Sequence, residues 1–146
     1  TGIALHNRGV NFVTTVGHPN QVGPGKRPRH TILPGFITRG DKAVGPFGVM
    51  GGSMQPQGQV QLVTRMLGAG QNPQAAIDAP RWRAESGALW VEDAMTGEVR
   101  AGLEALGHRL CAGSDLDFGA AQIVHRLGDG WLGASEPRRD GCAVGF

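Results

Sequence analysis

Apolar positions recur with two different periods along this chain, and each change of period marks an element. Alternation in "GIALHN" (2–7) predicts a strand. The stretch "GHPNQVGPGKRP", within 15–28, holds too many Gly, Pro and Asn residues for regular structure and predicts a loop. "TILPGFIT" (31–38) and "KAVGPFGVM" (42–50) predict a pair of strands, with "RGD" (39–41) as the hairpin turn between them. The spacing then lengthens. Over 57–69, Val60, Val63 and Leu67, joined by Leu62 and Met66, recur at helical intervals, and Gly68 and Gly70 end the helix. A second, shorter helix opens at "NPQAAIDAP", with Asn72 as N-cap, Pro73 at the first helical position and Pro80 closing it. "LWVED" (89–93) predicts a strand and "TGEVRAGLEALG" (96–107) a third helix, capped by Thr96 and ended by Gly107. "AAQIVHRL" and "GWLGASE", joined by "GDG", predict a last hairpin.

The order is strand, loop, two strands, two helices, strand, helix, two strands. Strict strand–helix alternation is absent, so the predicted class is α+β, a layered protein. The 146 residues suit a single domain with a real core, and no internal repeat divides them. Glycine is the compositional outlier. The 25 glycines have no triplet period and are separated by apolar runs, which argues against collagen and disorder and for many tight turns.

Charge and special side chains exclude more than they assign. A net charge of +2, with arginines paired only at Arg27/Arg29 and Arg138/Arg139, gives no nucleic-acid footprint. No apolar run is long enough to span a bilayer. Cys111 and Cys142 lack metal-ligand spacing and read as free or buried thiols, or as one disulfide. His6, His18, His30, His108 and His125 form no metal cluster, and no cofactor is expected. "RGD" needs its Gly and Asp for a turn rather than for adhesion, and "DFG" (117–119) stands without the other kinase motifs.

One feature points to chemistry. In "FGVMGGSMQPQ" two glycines, Gly51 and Gly52, stand where a strand hands over to a helix. They allow a tight turn that side chains would resist. They equally allow two backbone N–H groups to face a developing negative charge, aided by the helix N-terminus. The residues alone leave both readings open.

"NQVGPGKRP", the Gly-Gly turn opening a helix, "GQNPQAAIDAPRW", "LEALGHRL" and "GASEPRRDGCAVGF" occur in this order over nearly the whole chain. Together they resemble the small subunit of the γ-glutamyltranspeptidase family of N-terminal nucleophile hydrolases. The resemblance implies an αββα sandwich completed by a separate large subunit cut from the same precursor. The chain would then be most of a small subunit, without its N-terminal nucleophile segment. It implies a Thr nucleophile whose own α-amine is the general base, lying outside this chain, with Thr1 at a later structural position. Gly51 and Gly52 would form the oxyanion hole. The substrate positions depart from the family pattern. Where transpeptidases carry "N-N-Q-x-D-D-F", this chain has "HNRGVNF" (6–12), placing Asn11 at the carboxylate that holds an α-ammonium, and His30-Thr31 replaces a Ser-Ser pair. These departures resemble the branch with glutaryl-type cephalosporin acylases and small-amide hydrolases. The implied function is hydrolysis or transfer of small-molecule acyl amides, γ-glutamyl or glutaryl-like. The rival reading is a noncatalytic subunit that kept the fold.

Overall fold

The computed structural model describes residues 2–145, so Thr1 and the expectation attached to it lie outside the described residues. The chain gathers into two compact units, one up to Ile32 and one from Leu33 onward. Each is described by itself.

The first unit is built from turns. Gly2–Asn7, predicted as a strand, has no regular structure and is exposed. The alternation is present, but a strand forms only when a neighbour takes its N–H and C=O groups, and none of the described residues pairs with this segment. Arg8–Asn11 makes one 3-10 turn. Val13 and Gln21 then form an isolated parallel bridge, with the Val22 N–H donating to the Val13 carbonyl at 2.9 Å. Lys26 Nζ donates to the carbonyls of Pro19 (2.6 Å) and Gln21 (2.9 Å), tying the loop between them.

The second unit carries the regular structure. Its elements are β1 (Gly35–Arg39), β2 (Lys42–Met50), α1 (Met54–Val63), α2 (Pro73–Asp78), β3 (Trp82–Glu85), β4 (Ala88–Val91), α3 (Gly97–Ala105), β5 (Leu110–Ala112), β6 (Ala120–Leu127) and β7 (Gly130–Ser135). The α+β class is as the pattern predicts. β1 starts four residues after the predicted Thr31, just beyond Pro34, which has no N–H to give a ladder. α1 starts three residues before the predicted Gln57. Pro56 reads as a breaker, yet it sits in the first turn, where the missing N–H has no intrahelical partner to lose. The expected end of this helix is a π-helical turn at Thr64–Gly68, closed by the Ala69 N–H on the Thr64 carbonyl (3.0 Å). Asn72 caps α2 through the Ala75 N–H (2.9 Å), and Thr96 caps α3 through the Val99 N–H (3.4 Å).

Strands β1-β2-β6-β7 form an antiparallel sheet in that order. One face carries Val49, Ala121, Ile123 and Ala134, packed with Leu62 and Met66 of the α1 and π-helical stretch and Ala76 and Ile77 of α2. Small residues let the helices come close: a Cβ on Gly58 of α1 would stand 2.8 Å from the Val49 side chain. Of the predicted stripe, Leu62 and Met66 are buried and Val63 is half-buried. Val60 and Leu67 are exposed, and the inward face is Met54, Gly58, Gln61 and Leu62. The opposite face of the sheet carries Phe36, Met50, Val124 and Trp131, all exposed.

A second sheet, in order β3-β4-β5, pairs β3 with β4 antiparallel and β4 with β5 parallel across α3. Strand β3, absent from the sequence reading, has its edge satisfied by two glutamines of α1. Gln57 and Gln61, one helical turn apart, exchange bonds with the backbone of Ala84 (2.7 and 3.2 Å) and Trp82 (2.9 and 3.1 Å). Gln74 of α2 does the same for Ser135 on β7 (3.0 and 3.1 Å). These amides close sheet edges that would otherwise offer unpaired backbone. Both cysteines are free thiols, and Gly40-Asp41 of "RGD" is the β1–β2 turn.

Candidate active site

Strand β2 ends at Met50, and the chain must reverse into α1 within three residues. Gly51 (φ 126°) and Gly52 (φ 60°) make that reversal in a region of backbone space that favours glycine. Their carbonyls accept the N–H groups of Met54 and Gln55, both at 3.1 Å, so the turn is welded to the first turn of the helix. Their own N–H groups meet no acceptor among the described residues, and both glycines are exposed at the positive end of α1. The two positions differ in surroundings. A Cβ on Gly51 would lie 3.0 Å from Cα of Gly119 and 3.3 Å from Cβ of Met54, whereas a Cβ on Gly52 would meet nothing within 4 Å. Gly51 is required by packing as well as by φ; Gly52 is required by φ alone.

Gly119, the third residue of "DFG", backs this turn. Its φ is 71°, and a Cβ there would stand 2.1 Å from the Met50 carbonyl oxygen. Ahead of it, Asp115–Phe118 forms a 3-10 turn closed by a capping box. The Asp117 carboxylate accepts from the Ser114 N–H and hydroxyl, both at 2.9 Å, which holds its pKa below the ordinary value. The motif is therefore a structural turn.

A buried charge network pins this backing segment from the other side. Arg81 and Glu136 are completely buried, with Nη2 2.6 Å from Oε2. Arg81 Nη1 donates to the carbonyls of Phe118 (3.0 Å) and Gly119 (3.4 Å), and Nη2 also to that of Ile77 (3.0 Å). Glu136 Oε2 additionally accepts the Ala121 N–H at 2.8 Å, and Oε1 accepts from Arg138 Nη1 at 2.7 Å. Arg138 in turn forks onto Glu92, Nε to Oε1 at 2.5 Å and Nη2 to Oε2 at 2.7 Å, while Glu92 Oε2 accepts the Arg81 N–H at 2.6 Å. Nearby, Arg65 of the π-helical turn donates to the carbonyls of Ala76 and Ala79, each at 3.1 Å, and of Pro80. The electrostatics follow from this geometry. Burial pushes Glu136 up, but its bonds to Arg138 and Arg81 outweigh that and hold it below its ordinary value. Burial lowers Arg138, and its bonds to Glu92 and Glu136 overcome that and raise it. Burial, with the positive charges of Arg81 and Arg138 beside it, lowers Arg65. Sequence reasoning missed this network. Its visible signal was charged residues abutting apolar strand ends, in "APRW", "WVED" and "SEPRR".

The other sequence candidates, Asn11, His30 and Thr31, lie in the first unit. Asn11 ends the 3-10 turn, exposed, with Nδ2 donating to the Arg8 carbonyl at 3.3 Å. Thr31 Oγ1 accepts from Arg8 Nε at 2.6 Å. Arg8 thus links Asn11 to Thr31, while His30 is exposed. A separate cleft of about 800 Å³, lined by Trp82, Leu89, Leu103 and His108 among others, contains none of these candidates. Among the described residues, no group of three or more His, Cys, Asp or Glu could hold a metal ion.

Residues 1–146 match the family described as gamma-glutamyltranspeptidase. Over 155 residues the chain is 38% identical to the glutathione hydrolase-like YwrD proenzyme of Bacillus subtilis (strain 168), covering 100% of this chain and 30% of that one. It is 36% identical over 155 residues to the oxamate amidohydrolase proenzyme of Klebsiella pneumoniae, covering 100% of this chain and 29% of that one. The cephalosporin acylase of Bacillus halodurans superposes with a TM-score of 0.77 at 45% identity, over 94% of this chain and 26% of that structure. The chain therefore spans less than a third of the length of these relatives, and its fold is that of the N-terminal nucleophile hydrolases.

Proposed function

The chain belongs to the gamma-glutamyltranspeptidase family, and from that premise we propose that it is the greater part of the small subunit of an acyl-amide hydrolase. The observation that carries the proposal is the Gly51-Gly52 turn. Its two N–H groups have no acceptor among the described residues and sit at the start of α1, and Gly51 is backed by Gly119. Such donors stabilise the oxyanion of a tetrahedral intermediate.

In this reading a precursor cuts itself, and the new N-terminal Thr, outside residues 1–146, attacks the acyl carbonyl. Its α-amine takes the hydroxyl proton and later delivers it to the leaving amine. Gly51 and Gly52 hold the oxyanion in both steps, and water then hydrolyses the acyl-enzyme. Asn11, His30 and Thr31 shape the acyl pocket. Asn11 gives an incoming α-ammonium a neutral amide instead of a carboxylate. The reading therefore favours amino-free acyl amides over γ-glutamyl ones, in line with the cephalosporin acylase and oxamate amidohydrolase among the relatives. The large subunit from the same precursor covers the exposed sheet face and completes the sandwich.

The test is turnover by the complete processed enzyme on glutaryl and γ-glutamyl amides and on oxamate, with mass spectrometry of the trapped acyl-enzyme. Acyl should appear on a Thr outside this chain. Acylation of Thr1 would overturn the placement of the nucleophile, and no turnover of any amide would favour a noncatalytic subunit.

A further inference from the structure

The cleft of about 800 Å³ is built from one stretch of chain, residues 82–109, between the β3–β4 hairpin and α3. Its floor is apolar. Ala88 and Leu89 of β4 are buried, and Trp82 of β3 and Leu103 of α3 pack around Leu89. Its mouth is polar, formed by Glu85, His108 and Arg109, all exposed. The Glu85 carboxylate is occupied by Arg83 at 2.7 Å, whereas Arg109 has no ion-pair partner among the described residues. The uncompensated charge at the mouth is therefore positive. Small-molecule sites share this build: roughly 300–1,000 Å³, apolar and aromatic walls, and a few polar groups that fix orientation.

The cleft is also tied to the Gly51-Gly52 turn. Ala84, on the cleft wall, exchanges two bonds with the Gln57 side chain, Oε1 accepting its N–H at 2.7 Å and Nε2 donating to its carbonyl at 3.2 Å. The same Nε2 reaches the carbonyl of Ser53, the residue after Gly52, at 3.4 Å. One helical turn on, Gln61 holds Trp82 by bonds of 2.9 and 3.1 Å.

We propose that this cleft is a second small-molecule site, for an aromatic monocarboxylate, and that its occupation steadies the Gly51-Gly52 turn and raises kcat. The effect on kcat, though not the binding, rests on the acyl-amide hydrolase reading above. The ring of the ligand packs on Trp82, Leu89 and Leu103, and its carboxylate meets Arg109 and an N–H of His108. A molecule that touches both walls binds best at one separation of α3 from the hairpin, and so favours that arrangement over looser ones. β3 is then restrained, and Gln57 passes the restraint to Ser53 and the neighbouring N–H donors, which act by being preorganised.

The experiment uses the complete processed enzyme and three probes: 4-phenylbutyrate, butyrate without the ring, and 4-phenylbutanol without the charge. Calorimetry should show 4-phenylbutyrate binding at least about tenfold more tightly than either of the others. Arg109→Gln, at an exposed position, should weaken 4-phenylbutyrate about tenfold and leave 4-phenylbutanol unchanged. Saturating 4-phenylbutyrate should raise kcat about fivefold, the lower end of ordinary coupling between sites. Gln57→Ala should keep the affinity and lose the rise, whereas a merely structural role for Gln57 would lower kcat equally with and without the probe. Binding that ignores Arg109→Gln overturns the site. No binding at all overturns it too, and would mean that the rest of the protein covers the cleft. A raised KM at unchanged kcat would place the probe in the acyl pocket and overturn the effector role. Absence of turnover on any amide would remove the hydrolase reading and the effector role with it, while the calorimetry still decides the cleft.

Discussion

Gly51 and Gly119 meet backbone to backbone: a side-chain carbon on Gly51 would stand 3.0 Å from Cα of Gly119. The turn that presents the candidate oxyanion donors therefore has a wall behind it and open space only beside Gly52. The two glycines should respond differently to substitution. Gly52→Ala meets no atom within 4 Å and should destabilise by only about 1–2 kcal/mol, the cost of a left-handed alanine. Gly51→Ala adds a collision with backbone and should cost more. In the complete enzyme, Gly51→Val or Gly52→Val should lower kcat by roughly 10²-fold or more, the scale of losing one oxyanion donor. Steady-state kinetics and thermal melts on the same preparations separate the cases. A lower melting temperature with unchanged kcat would make the pair a turn and nothing more.

Asn11 should set the response to an α-ammonium. In the wild type, γ-glutamyl anilide should not be preferred over glutaryl anilide. Asn11→Asp should shift the kcat/KM ratio about tenfold toward γ-glutamyl, since a charge-assisted bond exceeds a neutral one by roughly a decade in rate. A strong wild-type preference for γ-glutamyl would remove Asn11 as selector.

Glu136 is the keystone of the buried network, because both Arg81 and Arg138 lean on it. Glu136→Gln leaves two buried guanidinium groups without their shared counter-charge and should cost about 3–5 kcal/mol. Glu104→Gln, at an exposed position of α3, should stay within about 0.5 kcal/mol. Denaturant melts of the complete enzyme check both.

The same carboxylate should shape the acid limb of stability. Its folded pKa lies below the ordinary 4.5, so the unfolded chain takes up a proton first as pH falls. The stabilisation is fully present above that ordinary value and is lost as pH falls through the depressed one. Melting temperature should therefore fall below about pH 4.5 in the wild type, and Glu136→Gln should flatten that limb. An unchanged acid limb in the variant would assign it to other carboxylates.

Residues 1–146 expressed alone should hydrolyse no acyl amide and should bind a hydrophobic dye. Phe36 and Trp131, 59% and 62% exposed, lie with Met50 and Val124 on one uncovered sheet face. Turnover by residues 1–146 that disappears in Thr1→Ala would restore Thr1 as nucleophile.

Much of the fold was legible because local rules dominate it. Asn72-Pro73 and Thr96 announce their helices, and the two hairpins of the larger sheet follow from alternation interrupted by Gly-Asp turns. The misses have more than one cause. The strand expected at 2–7 found no neighbour among the described residues, and β3 pairs with β4 across the two-residue turn Ser86-Gly87 while glutamines of α1 satisfy its other edge. The helical stripe holds for Leu62 and Met66, which are buried, and fails for Val60 and Leu67, which a count of hydrophobicity includes. The sheet instead chose Gly58 and Gln61, which fit by size and by hydrogen bonds. At the candidate site, Gly51 and Gly52 were visible as a doublet. Gly119, Arg81 and Glu136, which hold that doublet in place, are each unremarkable in sequence.

The interlocked charges also constrain how this chain can drift. Four residues from three separated segments, Arg81, Glu92, Glu136 and Arg138, share each other's oxygens and N–H groups. Replacing Glu136 or Arg138 by a neutral side chain leaves Arg81 or Glu92, respectively, without its ion-pair partner, whereas an apolar set replacing all four together can be neutral or stabilising. A better core therefore lies across a valley that single substitutions do not cross. The turn at Gly51 is sheltered by that isolation: variation can reach the exposed residues of the first unit freely, while the scaffold behind Gly51 changes only by several coordinated steps.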